Sequence, residues 1–293
     1  MRVFVTGATG FIGSIVVEDL IRAGHQVMGL ARSDAAAKFL IESGAEALRG
    51  DIYDLESLRS GAAGADGVIH CAFNHDFSKF VEVCETDRKV IEALGAELAG
   101  SKRHLVITSG TGRSTSGRPR TEEDSLIPSS VFPRGASEEA AESILAKGVS
   151  VSVIRLPQVH DPFKQGLITP LIAVARQKGV SAYVGEGTNR WPAAHRLDAA
   201  LLYRLALERA VAGARYNAVG EEGIPLREIA ESIGRGLKLP VVSLSPEKAV
   251  EHFGWLSMMA GVDMPASSAK TQEWLGWHPS HPGLIADLDL AKF

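Results

Sequence analysis

The chain has 293 residues, of which 45% are hydrophobic and 23% are charged, which is an ordinary globular composition. A formal net charge of -4 argues against binding to nucleic acid or to an anionic membrane surface, and no apolar run reaches the roughly 18 residues of a membrane span. Two cysteines are too few for a disulfide framework and fit a reducing compartment, so we expect a cytoplasmic protein.

The first half of the chain alternates short apolar runs with amphipathic segments. The runs of strand length are Arg2–Thr6, Gln26–Ala31, Glu46–Arg49, Gly67–Ala72, His104–Thr108 and Ser150–Leu156. The segments with helical spacing are Phe11–Ala23, Ala35–Glu42, Asp54–Gly61, Phe77–Leu98 and Ala136–Lys147. Because repeated β-α units give parallel strands with right-handed crossovers, this order predicts an α/β fold with a Rossmann-type, doubly wound parallel sheet.

The second half of the chain loses this regular alternation after Leu156. Prolines and glycines indicate loops, followed by a helix at Leu197–Ala210 and a strand-like run at Val241–Leu244. We predict a sheet domain of residues 1–160, to which 195–220 return, and a smaller C-terminal lobe of 161–194 and 221–293. Ligands of open α/β sheets bind at the carboxyl ends of the strands, so we expect this lobe to cover a substrate there.

A glycine motif follows the first strand and leads into the first helix, with the sequence Thr6-Gly7-Ala8-Thr9-Gly10-Phe11-Ile12-Gly13. The first glycine permits the tight turn, the second permits close approach of a diphosphate, and the third lets the helix lie against the strand. The amides at the helix start supply hydrogen bonds to phosphate. The motif therefore predicts a dinucleotide site, whose contacts include Gly7, Thr9, Gly10, Phe11 and Ile12; a merely flexible turn is the alternative.

The Gly-x-x-Gly-x-x-Gly spacing resembles the short-chain dehydrogenase/reductase superfamily, in particular atypical members of its extended-like NAD(P)-dependent epimerase/dehydratase branch. Three further segments are similar to that family: Gly50–Ile52 to its adenine-contacting turn, Val68–Ala72 to its fourth strand, and Arg155–His160 to its segment near the nicotinamide. The stretch His195–Ala200 is similar to a motif of the family's C-terminal half. The resemblance covers about residues 1–235 and implies cofactor contacts by Asp51, Ile52, Ala72, Pro157 and Val159.

The end of the second strand bears on the choice of nicotinamide cofactor. Dinucleotide sites usually carry Asp or Glu about 20 residues beyond the glycines, bonded to the ribose 2′-hydroxyl. Here the strand ends in Ala31-Arg32-Ser33. Arg32 can form a fork to a 2′-phosphate and Ser33 can add a hydrogen bond, so we predict NADP(H). The alternative for Arg32 is a solvated surface arginine, and we expect Asp34 to cap the following helix.

The family's catalytic pair is missing from this sequence. Standard members use a tyrosine with a lysine four residues later, whose ammonium lowers the pKa of the tyrosine that moves the proton. None of the four tyrosines here is followed by lysine at that spacing. The best match places Arg134 at the tyrosine and Glu138 at the lysine. Arginine stays charged and cannot donate the proton, so we expect the two to form an ion pair along a helix.

Four residues form the candidate catalytic set: Ser109, Thr111, His75 and Arg134. Ser109 and Thr111 follow the fifth strand, where either can bond a substrate oxygen; buried structural hydroxyls are an equal alternative. His75 follows the fourth strand, and an unperturbed histidine pKa near 6.5 suits proton transfer. Further candidates at the same edge are Lys79, His160 and His195, and for each histidine a structural role is the alternative.

These features together predict an NADP(H)-dependent oxidoreductase that acts on a small carbonyl or hydroxyl compound with a non-standard proton donor. A non-catalytic NADP(H)-binding sensor or regulatory protein is the alternative that Arg134 and Glu138 favour. Sugar-nucleotide epimerase or dehydratase activity ranks lower, because it depends on the missing tyrosine. The resemblance implies a homodimer through the helices near Phe77–Leu98 and Ala136–Lys147. No metal is expected, since the sequence has no metal-ligand spacing.

Overall fold

The structure is a computed structural model that describes residues 1–114 and 117–292. Its strands are β1 (Arg2–Thr6), β2 (Gln26–Ala31), β3 (Glu46–Arg49), β4 (Gly67–His70), β5 (His104–Gly110), β6 (Ser150–Leu156), β7 (Gln158–His160), β8 (Ser181–Val184), β9 (Arg190–His195), β10 (Arg215–Asn217), β11 (Glu221–Pro225) and β12 (Val241–Leu244).

The helices follow the same chain order. They are α1 (Gly13–Arg22), α2 (Asp34–Glu42), α3 (Leu55–Ala63), α4 (Phe80–Leu98), α5 (Gly135–Ala146), α6 (Ile168–Lys178), α7 (Arg196–Arg209), α8 (Leu226–Leu237), α9 (Pro246–Phe253), α10 (Ser257–Ala260), α11 (Ala269–Leu275) and α12 (Leu284–Leu290), with 3-10 turns at Phe77–Lys79 and Gly254–Leu256.

The central sheet has seven parallel strands in the order β10-β6-β5-β4-β1-β2-β3. The chain starts at β1 near the middle, builds outward through β2 and β3, and then crosses over to β4, β5 and β6. The predicted doubly wound α/β fold is confirmed. The strand at one edge, β10, was absent from the sequence prediction because only three residues of it pair with β6.

Helices cover both faces of this sheet. On one face α1 and α7 pack with β1, through residues such as Val16, Leu20 and Leu202. On the other face α3, α4 and α5 bury Leu58, Leu94 and the remaining members of a second apolar cluster. Burial of each large aliphatic side chain contributes about 1.5–3 kcal/mol, so two full layers fix the strand ends that form the site.

A smaller lobe lies beyond the sheet. It contains the three-stranded sheet β11-β9-β7, the parallel pair β12-β8 and helices α6, α8, α9 and α12, which share a third apolar cluster. One C-terminal segment packs elsewhere: Trp277 lies in the core of the main sheet, and its indole N–H donates to the carbonyl oxygen of Asp198 at 2.9 Å. In the described ranges no helix has both the length and the apolar character needed to cross a membrane.

Candidate cofactor and substrate site

The glycine turn between β1 and α1 is fixed by backbone contacts. Gly7 has φ of +67°, and a Cβ added to it would lie 2.7 Å from the amide nitrogen of Ala72, the residue expected beside the cofactor. A Cβ on Gly13 would collide with the carbonyl oxygen of Gly7. Both glycines are therefore required by the approach of protein backbone, and they hold the start of α1 against the end of β1.

The opposite side of the turn is open and suits a diphosphate. A Cβ on Gly10 would contact only Gly7 within 4 Å, and both Thr9 and Gly10 are exposed. Ile12 occupies the N-cap position of α1, where it offers no side-chain cap, and the first turn contains no acidic residue. The helix end therefore presents amide donors and its positive dipole end toward an open surface, which fits the phosphates of a dinucleotide.

The tip of β2 combines a free arginine with a helix cap. Arg32 is exposed and, among the described residues, forms no ion pair. Ser33 is the N-cap of α2 and accepts a hydrogen bond from the amide of Ala36 at 3.2 Å. The expectation that Asp34 caps this helix is wrong, because the helix begins at Asp34 itself. The Asp34 carboxylate instead lies 3.3 Å from Arg49 at the end of β3.

Other predicted cofactor residues lie at the same carboxyl edge. Gly50 donates its amide hydrogen to the carbonyl oxygen of Ala31 at 3.2 Å, which brings the following residues Asp51 and Ile52 beside the end of β2. Pro157 joins β6 to β7, and Val159 is buried within β7. The structure therefore groups these residues along one edge, and their contacts with a cofactor remain predictions.

Three of the four candidate catalytic residues line one cavity at the end of β5. Its walls contain Ser109, Thr111 and Arg134, together with Glu138, Phe132 and Arg120, and the volume inside it that the centre of a water molecule can occupy is about 20 Å³. The amide of Thr111 donates to the carbonyl oxygen of Leu156 at 3.1 Å, which ties this strand end to β6. The cavity places two hydroxyls and a guanidinium around one small space.

The guanidinium of Arg134 is held by buried groups. Its Nη1 donates to Oδ2 of Asp87 at 2.6 Å and contacts the hydroxyl of Ser137, while Nη2 donates to the carbonyl oxygen of Thr108 at 2.8 Å. The carbon Cζ stacks 4.0 Å above the ring of Phe73. The expected ion pair between Arg134 and Glu138 is wrong, because Arg134 precedes the helix and faces Asp87 on α4.

Glu138 has a different partner. Its two carboxylate oxygens accept hydrogen bonds from Nε and Nη2 of Arg155 at 2.9 and 2.8 Å, a bidentate arrangement in which both side chains are buried. Such a pair is strongly directional, and loss of Glu138 leaves the buried charge of Arg155 uncompensated. Nε of Arg215 lies 3.4 Å from the same carboxylate. Arg134 and Glu138, which replace the family's tyrosine and lysine, therefore belong to two separate ion pairs. Arg134 pairs with Asp87 of α4, and Glu138 pairs with Arg155 of β6.

A buried polar chain continues from Asp87 toward the glycine turn. Oδ1 of Asp87 lies 3.0 Å from Nε2 of His70, whose Nδ1 lies 2.6 Å from the hydroxyl of Thr6. Burial acts to raise the pKa of Asp87, but Arg134, His70 and Ser137 outweigh it and hold that pKa well below its usual range. Sequence reasoning missed this network, although Asp87 falls on the apolar face of α4, a polar exception that signals a buried partner.

His75 lies outside the cavity, between aromatic rings. Its ring centroid is 5.4 Å from that of Phe73 and 6.1 Å from that of Phe77, in edge-on geometry. Although the residue is exposed overall, this packing desolvates the imidazole and lowers its pKa, and the charges of Lys164 and Arg134 lower the pKa further. The lowered pKa favours the neutral imidazole, which can accept a proton. The charged imidazolium, when it forms, is a stronger acid than an ordinary histidine.

The other sequence candidates lie away from that cavity. Lys79 is exposed in the 3-10 turn before α4. His160 is fully buried, with Nδ1 2.7 Å from the carboxylate of Asp287, and its ring contacts that of His195 at 5.7 Å. Nδ1 of His195 accepts the amide hydrogen of Leu197 as the N-cap of α7. These two histidines have structural partners, which is the alternative that the sequence left open.

An aromatic wall connects the cavity with the small lobe. We use this name for Phe73, Phe77, Phe80, Phe132 and Trp255. Phe80 packs on Phe132 and on Phe77, with ring centroids 5.6 Å apart in both pairs. Phe77 stacks on Trp255 of the lobe at 4.7 Å and an interplanar angle of 9°. Phe132, which lines the cavity, is therefore connected through Phe80 and Phe77 to Trp255 of the lobe.

Comparison with known proteins identifies the family. A family model described as the NAD dependent epimerase/dehydratase family matches residues 3–219. The chain belongs to this family. Membership implies a nicotinamide cofactor, and the open glycine turn described above fits one. This epimerase/dehydratase family member differs from the standard pattern at the two positions that Arg134 and Glu138 occupy.

Individual relatives differ in what is known of them. The chain is 49% identical over 289 residues to the uncharacterized protein C2A9.02 of Schizosaccharomyces pombe, which covers 98% of both proteins. It is 29% identical over 259 residues to a 2-alkyl-3-oxoalkanoate reductase of Stenotrophomonas maltophilia, covering 83% of this chain and 77% of the reductase. A double mutant of the dTDP-glucose 4,6-dehydratase DesIV from Streptomyces venezuelae superposes with a TM-score of 0.78 at 20% identity, covering 100% of this chain and 96% of the other. At that identity the likeness shows the fold alone.

Proposed function

We propose that this family member is an NADP(H)-dependent oxidoreductase that reduces a small carbonyl compound, or oxidises the matching alcohol, in the cavity at the end of β5. The observation that carries the proposal is the convergence of Ser109, Thr111 and Arg134 on one cavity, two strands away from the glycine turn. The 2-alkyl-3-oxoalkanoate reductase among the relatives supports carbonyl reduction.

NADP(H) is proposed over NAD(H) because of the tip of β2. The guanidinium of Arg32 is exposed without an acidic partner in the described chain, and the hydroxyl of Ser33 retains its proton for a donor bond while accepting from Ala36. Both features suit a 2′-phosphate, and the carboxylate that follows them, Asp34, lies beside Arg49 of β3.

The proposed chemistry divides charge stabilisation from proton transfer. The cofactor, when bound, supplies a hydride to the carbonyl carbon. Ser109, Thr111 and Arg134 donate hydrogen bonds to the carbonyl oxygen, whose negative charge grows as the hydride arrives. Arg134 keeps its own proton and stabilises the alkoxide by charge, because its guanidinium does not titrate near neutral pH. His75 is the proposed source of the proton for that oxygen. Because its ring lies outside the cavity, the proton reaches the oxygen through solvent, and because the pKa of His75 is lowered, the imidazolium is the less populated but more acidic form.

A non-catalytic NADP(H)-binding regulatory protein is the second candidate, and one observation favours it. Arg134 and Glu138 are both committed to buried ion pairs with Asp87 and Arg155, as structural residues are. Sugar-nucleotide epimerase or dehydratase chemistry also fits the family, and it requires a proton-transferring group at the position of Arg134. A homodimer and a cytoplasmic location complete the proposal, supported by the resemblance and by the low cysteine content.

Deuterium transfer tests the function directly. The protein is incubated with NADPH labelled at either face of C4 and with a panel of ketones, aldehydes and oxo acids, and the products are examined by mass spectrometry. We expect stereospecific transfer to at least one alcohol, and tighter binding of NADPH than of NADH in parallel titrations. NADPH binding without any transfer contradicts the enzyme in favour of the regulatory protein. Absence of dinucleotide binding contradicts both, and equal or tighter NADH binding contradicts the choice of NADP(H).

A further inference from the structure

Arg120 lines the cavity, and its backbone is hydrogen-bonded to the small lobe. Its amide donates to the carbonyl oxygen of Pro265 at 2.8 Å, and its own carbonyl oxygen accepts from the amide of Ser267 at 2.7 Å. These bonds form an isolated parallel bridge with Ala266. The backbone of Arg120 is therefore fixed by residues 265–267, while its side chain lines the cavity.

The guanidinium of Arg120 is only partly used by the protein. Nη2 donates to the carbonyl oxygen of Ser125 at 2.6 Å. Nε is buried and, in the described ranges, has no hydrogen-bond partner. Nη1 lies beside Gly112, 3.5 Å from where a Cβ on that residue would be. A buried donor without an acceptor is costly, so the protein leaves this guanidinium incompletely satisfied, and the Arg120 side chain lines the cavity, where a ligand can contact it.

The charges around this guanidinium are already matched to other groups. Asp124 is taken by Arg118, with Nη1 and Nη2 bonds of 2.9 and 2.5 Å. Glu138 forms an ion pair with Arg155, and Arg134 forms one with Asp87. Arg120 therefore has no ion-pair partner in the part of the chain that the structure describes. Burial, aided by the charge of Arg155, lowers the pKa of Arg120, although the carboxylates of Asp124 and Glu138 act to raise it.

We propose that Arg120 binds the carboxylate of the substrate, so that the enzyme acts on oxo acids or hydroxy acids with an apolar chain. The carboxylate meets Arg120, the reacting oxygen meets Ser109, Thr111 and Arg134, and the apolar part lies against Phe132 and the aromatic wall. A monoanion fits better than a phosphate, because the cavity is small and Glu138 also lines it. This inference rests on the proposed function and specifies its substrate class.

Paired substrates test the inference. Oxo acids of four to ten carbons, with the carbonyl at carbon 2, 3 or 4, are compared with their methyl esters by kcat/KM. The wild-type enzyme should prefer an acid to its ester by about tenfold or more, since a charged hydrogen bond is at stake. Arg120→Met should lower kcat/KM for the acid by a similar factor, mainly through KM, and leave that for the ester unchanged. Arg120→Lys should restore part of the preference.

Arg113→Met is the matched control, because Arg113 is an exposed arginine of the same segment that does not line the cavity. Its acid-to-ester ratio should equal that of the wild type. If the wild-type enzyme reduces esters as efficiently as acids, the inference is overturned, but the proposed reductase function is not. This comparison needs no variant. A ratio unchanged by Arg120→Met also overturns it.

Calorimetry with unreactive carboxylates separates this inference from the proposed function. Octanoate should bind the NADPH-saturated wild type and bind Arg120→Met at least about tenfold more weakly. If no hydride transfer occurs but this difference is found, the carboxylate site stands while the reductase fails. If octanoate binds both proteins equally or binds neither, the site is refuted. Tighter binding of inorganic phosphate than of octanoate refutes the choice of a carboxylate.

Discussion

The carboxyl edge of the sheet contains two regions that are built on different physical principles. Around β1 and β2 the site consists of backbone: Gly7 and Gly13 are fixed by atoms that approach too closely for any side chain, and Arg32 extends into solvent. Around β4, β5 and α5 it consists of buried side chains, in which Asp87 pairs with Arg134 and Glu138 pairs with Arg155. The first region can be altered at its exposed groups without loss of the fold, whereas the second cannot.

The largest effect on the free energy of unfolding is expected at Gly13, where two backbone segments are in close contact. Gly13→Ala places a Cβ against the carbonyl oxygen of Gly7, and neither atom can move without shifting β1 or α1. We expect a loss of about 4 kcal/mol or more in the free energy of unfolding, together with loss of NADPH binding. Gly24→Ala is the control: its φ is +85° and nothing lies within 4 Å of the added Cβ, so only local strain of about 1 kcal/mol applies.

Urea denaturation of both variants measures the difference. If Gly13→Ala unfolds at the same urea concentration as Gly24→Ala, the close approach of the two backbones is not required. The cofactor region would then be as tolerant of side chains as an ordinary surface turn.

The buried region is tested by Asp87→Asn, which leaves Arg134 without its anionic partner. Breaking a buried pair of this kind should cost about 3 kcal/mol at neutral pH. Asp289→Asn is the control, because Asp289 forms a 2.9 Å pair with Arg235 in which both side chains are at least half exposed, and such surface pairs contribute about 1 kcal/mol or less.

The sign of the pH dependence follows from the depressed pKa of Asp87 in the folded protein. Its contribution is fully present above the unfolded carboxyl pKa of about 3.9, and it disappears as the pH falls toward the lower folded value. The stability difference between wild type and Asp87→Asn should therefore be constant above about pH 5 and shrink below pH 4. A difference that grows on acidification contradicts this assignment of charge.

The contrast between the regions also explains what the sequence alone could predict. The strands Arg2–Thr6, Gln26–Ala31, Glu46–Arg49 and Ser150–Leu156 agree with the structure at both ends. Three of them are mostly buried, and runs of apolar residues between polar turns are typical of such strands, whereas Glu46–Arg49 lies at the sheet edge and contains no buried residue. The glycine turn could be predicted because its constraint is local. Asp87, by contrast, meets Arg134 across 47 positions of the sequence, and no local pattern connects them.

The contacts of Glu138 and Arg120 likewise could not be predicted from a local sequence pattern. A pairing four residues apart on a helix was the natural expectation for Arg134 and Glu138, but Arg155 in β6 offers Glu138 two parallel hydrogen bonds from a buried position. Likewise, Nε of Arg120 has no hydrogen-bond partner among the described residues, while the nearby carboxylate of Asp124 pairs with Arg118. Competition among charges decides these contacts, and it is settled only when the strands and loops are assembled.

The smallest effect on stability, and a selective one on binding, is expected at Arg32. Because the side chain is exposed and unpaired among the described residues, Arg32→Ala should change the free energy of unfolding by less than about 0.5 kcal/mol. It should weaken NADPH binding by about tenfold or more, since a charged hydrogen bond to phosphate is lost, and leave NADH binding within about twofold. Fluorescence titration with both dinucleotides measures this.

Arg22→Ala removes an equally exposed arginine at the far end of α1 and should leave both affinities unchanged. An Arg32→Ala protein that loses NADPH and NADH affinity in equal proportion would mean that Arg32 supports the whole nucleotide and does not read the 2′-phosphate. If only NADPH binding weakens, stability and cofactor choice are separable at this edge: Asp87 would contribute to the first through burial, and Arg32 would determine the second from a position in solvent.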